Sequence, residues 1–497
     1  MAVPEHINAM KPPSSEVQCI KGHYYVYAVK SRYDKATKRS YSDRIGCIGK
    51  IYEGVGFVPN KKGQDNSISV TKEYGATHTV MELTKGLFDR LRKHFPSDFL
   101  RIYVLAILKL METDLTSKRI DWAYERSAVS LLLPEVHLSK NTVTDFMERL
   151  SLQRGSMVSF MREFQIAENS SVIFDGTSQT ATSNDNPYVE RGYTPGKKNT
   201  TQIRQIYAFE TQTRRPIYYN ILPGNITDRT ALITSFEELD LKNCTIILDN
   251  GFFSDSNIRF MLDEEVKFMI PLKSNTTLVD KEYKPFLAYK TVMGNSFKYH
   301  NRFIFYREIP CDKYEGCKVI VYYDEGRNKE LEKERFKIAN KKYGEDIPQE
   351  ALVKLYKECE MLGVTMLLVK SNSDAKQIYL DFKTRWSIES MFDTMKNTLS
   401  FTMNYEVKYT TQMGWSFIEF ICLQMHYEIN EILIREDLYT KYDVNDVLSY
   451  LKSIEQSNCN VDGQWRISNL TQKKKELLDS LGISLQPITQ SPEYNIG

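Results

Sequence analysis

At 497 residues the chain has room for two to four domains of ordinary size, or for one core with large insertions. A hydrophobic share of 41%, with 31 Tyr and 24 Phe, excludes wholesale disorder, and no run of about 18 apolar residues suggests a membrane span. The formal net charge of +2 does not by itself announce a polyanionic partner, although residues 1–62 carry 11 Lys/Arg against 5 Asp/Glu.

The opening stretch, MAVPEHINAMKPPSSE, lacks the basic and apolar regions of a secretory signal. From His23 to Ile51, HYYVYAVKSRYDKATKRSYSDRIGCIGKI predicts two strands around a charged turn, a small hairpin module, before a Lys/Asp/Gly-rich connection over Asn60 to Glu73. The basic excess there suits DNA contact and equally suits a solvated surface. Residues about 83 to 165 carry apolar side chains at three-to-four spacing and predict helices, with Ser139 as an N-cap. The pair around Pro134 fits a helix-turn-helix or helices that simply pack.

At Ser171 the texture changes. SVIFDGT, QIRQIYAFET, RPIYYNILPG, CTIILDNG and KFMIPLK predict strands, the last two separated by the helix SDSNIRFMLDEE, which suggests a mixed α/β sheet. Residues about 275 to 362 interrupt this order with β-formers and then a charged amphipathic helix, RNKELEKERFKIANKKYG, and read as an insertion domain. VTMLLVKS returns to the core, a long helix is expected from about Asp374 to Ser400, and short helices and loops follow Asp443. Of the eight Cys residues only Cys311 and Cys317 are close, without the further pair or His spacing of a zinc site, which fits reduced thiols in a cytoplasmic protein.

Two apolar runs lead into aspartates followed by turn residues: VIFDGT places Asp175 and CTIILDNG places Asp249 at expected strand ends. Such residues can meet at one sheet edge and share divalent metal, or merely cap turns. In DFKTRWSIESMFDTMKNTL, Phe382, Arg385, Glu389 and Lys396 are spaced 3, 4 and 7 apart and so share one helical face, while Trp386, Ile388, Met391, Phe392 and Met395 supply a buried side. An acid flanked by two bases suits a metal-and-phosphate site, although such pairs also merely decorate helices.

Together VIFDGT, RGYTPGKKNTTQIRQIYAFETQTRRPIYYNILPGNITD, IILDNGFFS and FKTRWSIESMFDTMK resemble the DDE transposases of bacterial insertion sequences. The subgroup is the one with a Tyr-x2-Arg-x3-Glu-x6-Lys signature, read here as Phe382, Arg385, Glu389 and Lys396, with Phe in place of Tyr. The likeness covers roughly residues 170 to 430. It implies an α/β, ribonuclease-H-like mixed-sheet core with a β-rich insertion domain, besides the N-terminal hairpin and helical region. The expected division is 1–75 hairpin module in probable DNA contact, 76–168 helical DNA-binding or dimer region, 169–274 first part of the core, 275–362 insertion, 363–430 second part of the core, and 431–497 C-terminal helices.

The same resemblance implies Asp175, Asp249 and Glu389 as catalytic metal ligands for two Mg²⁺ ions, with Mn²⁺ as a substitute, and Arg385 and Lys396 as DNA-phosphate contacts. Its activity would be cleavage at terminal inverted repeats and joining of the 3′-OH to target DNA, with a hairpin intermediate in relatives. The partners would be DNA and a second copy in a synaptic homodimer, in the bacterial cytoplasm at the nucleoid. Gly192, Gly196, Lys197 and Lys198 form a loop whose lysines either touch DNA backbone or are solvated. Asp228 reads as a turn or cap residue, and Tyr289, Phe297, Tyr299 and Phe305 either stack a flipped base or fill sheet core. A metal-dependent nuclease of the same fold, or a domesticated or decayed DNA-binding protein, are the rival readings.

Overall fold

The computed structural model describes residues 3–34, 39–60, 68–164, 170–181, 183, 185–191, 200–223, 228–239, 241, 244–272, 279, 295–344, 346–359, 362–399, 403–404, 408–459 and 464–488. The chain divides into two compact units: residues 1–78 with 125–132 and 449–497, and residues 79–124 with 133–448. Among the described residues no helix is long and apolar enough to cross a membrane.

In the first unit, β1 (Ser15–Ile20), β2 (His23–Asp34), β3 (Arg39–Tyr52) and β4 (Gly56–Pro59) form one antiparallel sheet in that order. Strand alternation gathers Val17, Val26 and Ile51 around Ile7 of the short helix Glu5–Asn8. Gly49 permits the close approach of β4, because a Cβ there would stand 2.4 Å from the Val58 carbonyl oxygen. The next strand, β5 (Ile68–Glu73), belongs to a different sheet completed near the C-terminus.

The second unit is built on one large mixed sheet. Its strands are β6 (Ser171–Ala181), β7 (Glu190–Arg191), β8 (Thr201–Glu210), β9 (Arg215–Pro223), β10 (Thr245–Leu248), β11 (Lys267–Pro271), β12 (Ser296–Tyr299), β13 (Arg302–Pro310), β14 (Lys318–Asp324), β15 (Val364–Lys370) and β16 (Met403–Asn404). The order is β12-β13-β14-β15-β11-β10-β6-β8-β7, with β9 also on β8 and β16 on β6. β6, β10 and β11 are mutually parallel, whereas β6 and β8, and β8 and β9, are antiparallel.

Helices cover both faces, which is why SVIF, TIIL and FMI are continuous apolar runs instead of alternating ones. On one face Phe174 stacks on Phe236 of the helix Asp228–Glu238, and Phe236 meets Phe260 of the helix Asp255–Asp263. On the other, Tyr207 meets Phe392 and Tyr219 meets Phe420 of the helix Tyr409–Arg435. That long helix lies directly against the helix Lys140–Ser151 at Gly414, where a Cβ would come within 2.6 Å of the Met147 carbonyl oxygen. Ser139 caps the Lys140–Ser151 helix as its sequence suggests, accepting from the Thr142 amide.

Three local features differ from the sequence reading. The inserted strands β12–β14 do not form a sheet of their own, because β15 pairs antiparallel with both β11 and β14 and so carries the core sheet into them. The expected helix from Asp374 to Ser400 is broken into Ala375–Lys383, Trp386–Asp393 and a π-helical turn, Thr394–Thr398. At the break the Thr384 hydroxyl donates to the Asp381 carbonyl at 2.5 Å, and the Arg385 amide turns to Phe382 O at 3.2 Å. Finally, the tail contains strands. β17 (Glu455–Cys459) joins β5 to β18 (Trp465–Ser468), and EQSNC and WRIS are too short and polar for alternation to announce them.

Candidate active site

The parallel register of β6 and β10 sets Phe174 opposite Leu248, and the next residue on each strand is an aspartate. Adjacent strands lie about 4.8 Å apart, so Asp175 and Asp249 leave neighbouring positions toward the same face. Asp175 does not end its strand as VIFDGT suggested. β6 continues to Ala181, paired with β8 through Thr180, while β10 stops at Leu248. The aspartates therefore stand at the step where the parallel ladder ends, with half of the sheet continuing beyond them.

Helix packing supplies the third acid. Tyr207 lies opposite Asp175 on β8 and is fully buried against Phe392, with ring centroids 5.9 Å apart. This contact, with buried Ile388 and Met391, fixes the Trp386–Asp393 helix beside the strand ends and carries Glu389 with it. Arg385 precedes that helix and ties the acids together. Its Nη1 donates to Asp249 Oδ1, and its Nη2 donates to Glu389 Oε1 at 3.1 Å. The guanidinium lies 5.9 Å from the ring of Phe382, so the residue standing where the signature has Tyr backs the arginine through its π-face.

Burial and charge both act on Asp175. Burial raises the Asp175 carboxyl to about 6; the Gly176 amide, donating at 2.7 Å, and Arg385 oppose the rise, while Asp249 and Glu389 reinforce it. Among the described residues no three His, Cys, Asp or Glu side chains close around a point that could hold an ion as they stand, and Arg385 bridges two of the acids. The donor set is nevertheless all carboxylate, the hard oxygen ligation that Mg²⁺ takes, and its members are near enough to perturb one another.

The other residues singled out in the sequence fall as follows. Lys396 is exposed on the π-helical turn, 5.7 Å from the Phe392 ring and without an ion pair among the described residues. Lys197, Lys198, Gly192, Gly196 and Tyr289 lie outside the described residues. Asp228 is the first residue of the Asp228–Glu238 helix. Trp386, expected on the buried side, is 66% exposed, because two and five residues along one helix set Ile388 and Met391 on the opposite face from it. Phe297 and Tyr299 each pack edge-on against Tyr379 at 5.4 Å, and Phe305 lies near Tyr323. Cys311 and Cys317 are buried free thiols on either side of the β13–β14 turn.

The sequence reading passed over Arg204. It stands opposite Ser178 on β8, on the face away from Asp175, with its Nε 3.0 Å from where a Cβ on Gly176 would be. The glycine after the acid thus makes room for a guanidinium behind the site. A basic residue diagonal to a strand glycine in an antiparallel pair was the available signal, but the pairing had to be known first.

One sheet and one helix thus bring Asp175, Asp249 and Glu389 together, with Arg385 among them. The family model described as a transposase DDE domain matches residues 167–425, just over half of the chain, and the chain belongs to that family of DDE transposases. No curated protein matches it. Among solved structures it is similar to one described as the cryo-EM structure of the piggyBac transposase synaptic complex with hairpin DNA, at 11% identity over 76% of each chain and a TM-score of 0.41.

Proposed function

We propose that this chain is a cut-and-paste DNA transposase of a bacterial insertion sequence, with a ribonuclease-H-like core that cleaves at the element's terminal inverted repeats and joins the freed 3′-OH to target DNA. The observation that carries the reading is the placement of Asp175 and Asp249 side by side on parallel strands, with Glu389 tied to Asp249 through Arg385. Strand order supports the core assignment: an antiparallel trio, β9-β8-β6, continues into the parallel β10 and β11.

Asp175, Asp249 and Glu389 would hold two Mg²⁺ ions, or Mn²⁺ in their place. When bound, such ions supply Lewis-acid stabilisation of the attacking and leaving oxygens of an in-line displacement. The chain's own groups do the rest. Arg385, with five donors in a planar fork, suits bidentate capture of a phosphodiester, and the Phe382 ring stands 5.9 Å from its guanidinium. Exposed Lys396 would add a point charge from the π-helical turn, and Lys197 and Lys198 would extend backbone contact. The basic N-terminal sheet and the helices that follow it would grip the element end, and a second copy would bring the other end into a synaptic homodimer at the nucleoid.

Asp175→Ala tests the reading. It should abolish strand cleavage in Mg²⁺ while leaving binding to the element's end intact, because it removes a metal ligand and no DNA-reading surface. Loss of binding and of folding together would make Asp175 structural. Cleavage by the wild type without any joined product would instead identify a nuclease of the same fold.

A further inference from the structure

We propose that Arg385 is a placeholder cation: in the free protein it occupies Asp249 and Glu389, and it releases them when its guanidinium is drawn to a DNA phosphate, so that DNA binding raises the site's affinity for divalent metal. The inference rests on the transposase reading above and adds an order of assembly to it.

Three observations support it. Arg385 donates to both acids at once, Nη1 to Asp249 and Nη2 to Glu389, so one side chain masks two of the three ligands. A divalent ion on the same oxygens would meet a fixed positive charge, and the two cations compete for the same anionic pair. The second observation is access. Arg385 sits at the break between the Ala375–Lys383 and Trp386–Asp393 helices, and its side chain is 25% exposed beside an acid that is 43% exposed.

The third is an alternative support. The Phe382 ring, 5.9 Å from the guanidinium, offers a contact that need not be lost when the carboxylates are released. A phosphodiester presents the same bidentate geometry as a carboxylate, so the exchange replaces one pair of charge-assisted hydrogen bonds by another. Because coupling between two ligands is reciprocal, metal should also tighten DNA binding, by the same factor. Partly exposed ion pairs of this kind set that factor at about tenfold, equivalent to about 1.4 kcal/mol. Such coupling would keep the cutting site unarmed until an element end is in place.

The test is Mn²⁺ binding to the full chain, followed by the electron paramagnetic resonance signal of free Mn²⁺, with and without a duplex cut from the DNA bordering the gene. Wild type should bind Mn²⁺ weakly alone and about tenfold more tightly with the duplex. Arg385→Ala should bind it tightly without DNA and respond little to the duplex, and Arg385→Lys, which cannot bridge two acids, should fall between. A melting curve verifies folding of each variant, and Arg385→Gln replaces Arg385→Ala if the latter does not fold. Equal Mn²⁺ affinity of wild type and Arg385→Ala without DNA, with Asp249→Asn weaker than both, overturns the placeholder role and leaves the metal site standing. A wild-type affinity unmoved by the duplex overturns the coupling. Absence of Mn²⁺ binding by every variant, with DNA or without, overturns the transposase reading as well.

Discussion

Asp175→Asn should make the metal-free protein more stable, and only above the acid range. The carboxyl stands beside Asp249 and Glu389 at a largely buried position that raises it from 3.8 to about 6. Below pH 4 it is protonated in both folded and unfolded chains, and the crowding has no effect. Between pH 4 and 6 the unfolded chain ionises while the folded one resists, so stability falls as pH rises, and above pH 6 the full penalty is present. A carboxyl held at about 6 in place of 3.8 corresponds to about 3 kcal/mol, which solvent screening at this partly exposed edge reduces to about 1–2 kcal/mol. Asparagine keeps an oxygen for the Gly176 amide, so little else is lost. Thermal melts in EDTA at pH 7.5 should show Asp175→Asn about 2–4 °C above wild type, and the difference should vanish near pH 4. Added Mg²⁺ should stabilise wild type more than the variant. A variant that melts lower at pH 7.5, or a difference independent of pH, would refute the electrostatic account of this site.

Further outcomes concern other parts of the molecule. Lys396→Ala should weaken binding to element ends most at low salt and flatten its salt dependence, as removal of one phosphate contact does; band shifts across a salt series measure it, and a salt-independent loss would contradict the assignment. Gly414→Ala should lower the melting temperature through about 1–3 kcal/mol of overpacking, since its Cβ would meet the Met147 backbone at 2.6 Å. His426 is buried in the Tyr409–Arg435 helix and held down to about 4 by desolvation, so the folded chain resists protonating it and stability is lost as pH falls from 6.5 toward 4. His426→Leu should flatten the fall in melting temperature between pH 6.5 and 5; an unchanged slope would place the acid sensitivity elsewhere.

What the sequence disclosed depended on the range of the interaction. The apolar runs of β6, β8, β9, β10 and β11 were legible because each strand writes its own burial into consecutive residues, and the acids following VIF and TIIL were visible for the same reason. The continuation of β6 past Asp175 was not, since TSQT reads as turn until its pairing partner β8 is known. Spacing placed Arg385 and Glu389 on one face, and they do meet at 3.1 Å, but the contact between Arg385 and Asp249, 136 residues apart, follows only from the fold. The helix break at Thr384, where a hydroxyl bonds a backbone carbonyl, left no mark in the apolar spacing, and the exposure of Trp386 follows from its place opposite Ile388 and Met391 on one helix. Likewise, VTMLLVK announced a buried strand, yet nothing in it said that both of its edges would be paired and would draw β12–β14 into the core sheet.

The most direct test is incubation of a DNA fragment bearing the element's own ends with wild type and with Asp249→Ala, in Mg²⁺, resolving both nicked and joined products. Nicks at the element boundary followed by joined products with wild type, and neither with Asp249→Ala, are the result expected of a transposase that uses this carboxylate set. Specific binding without cutting by wild type in Mg²⁺ or Mn²⁺, or cutting that persists in Asp249→Ala, would contradict it.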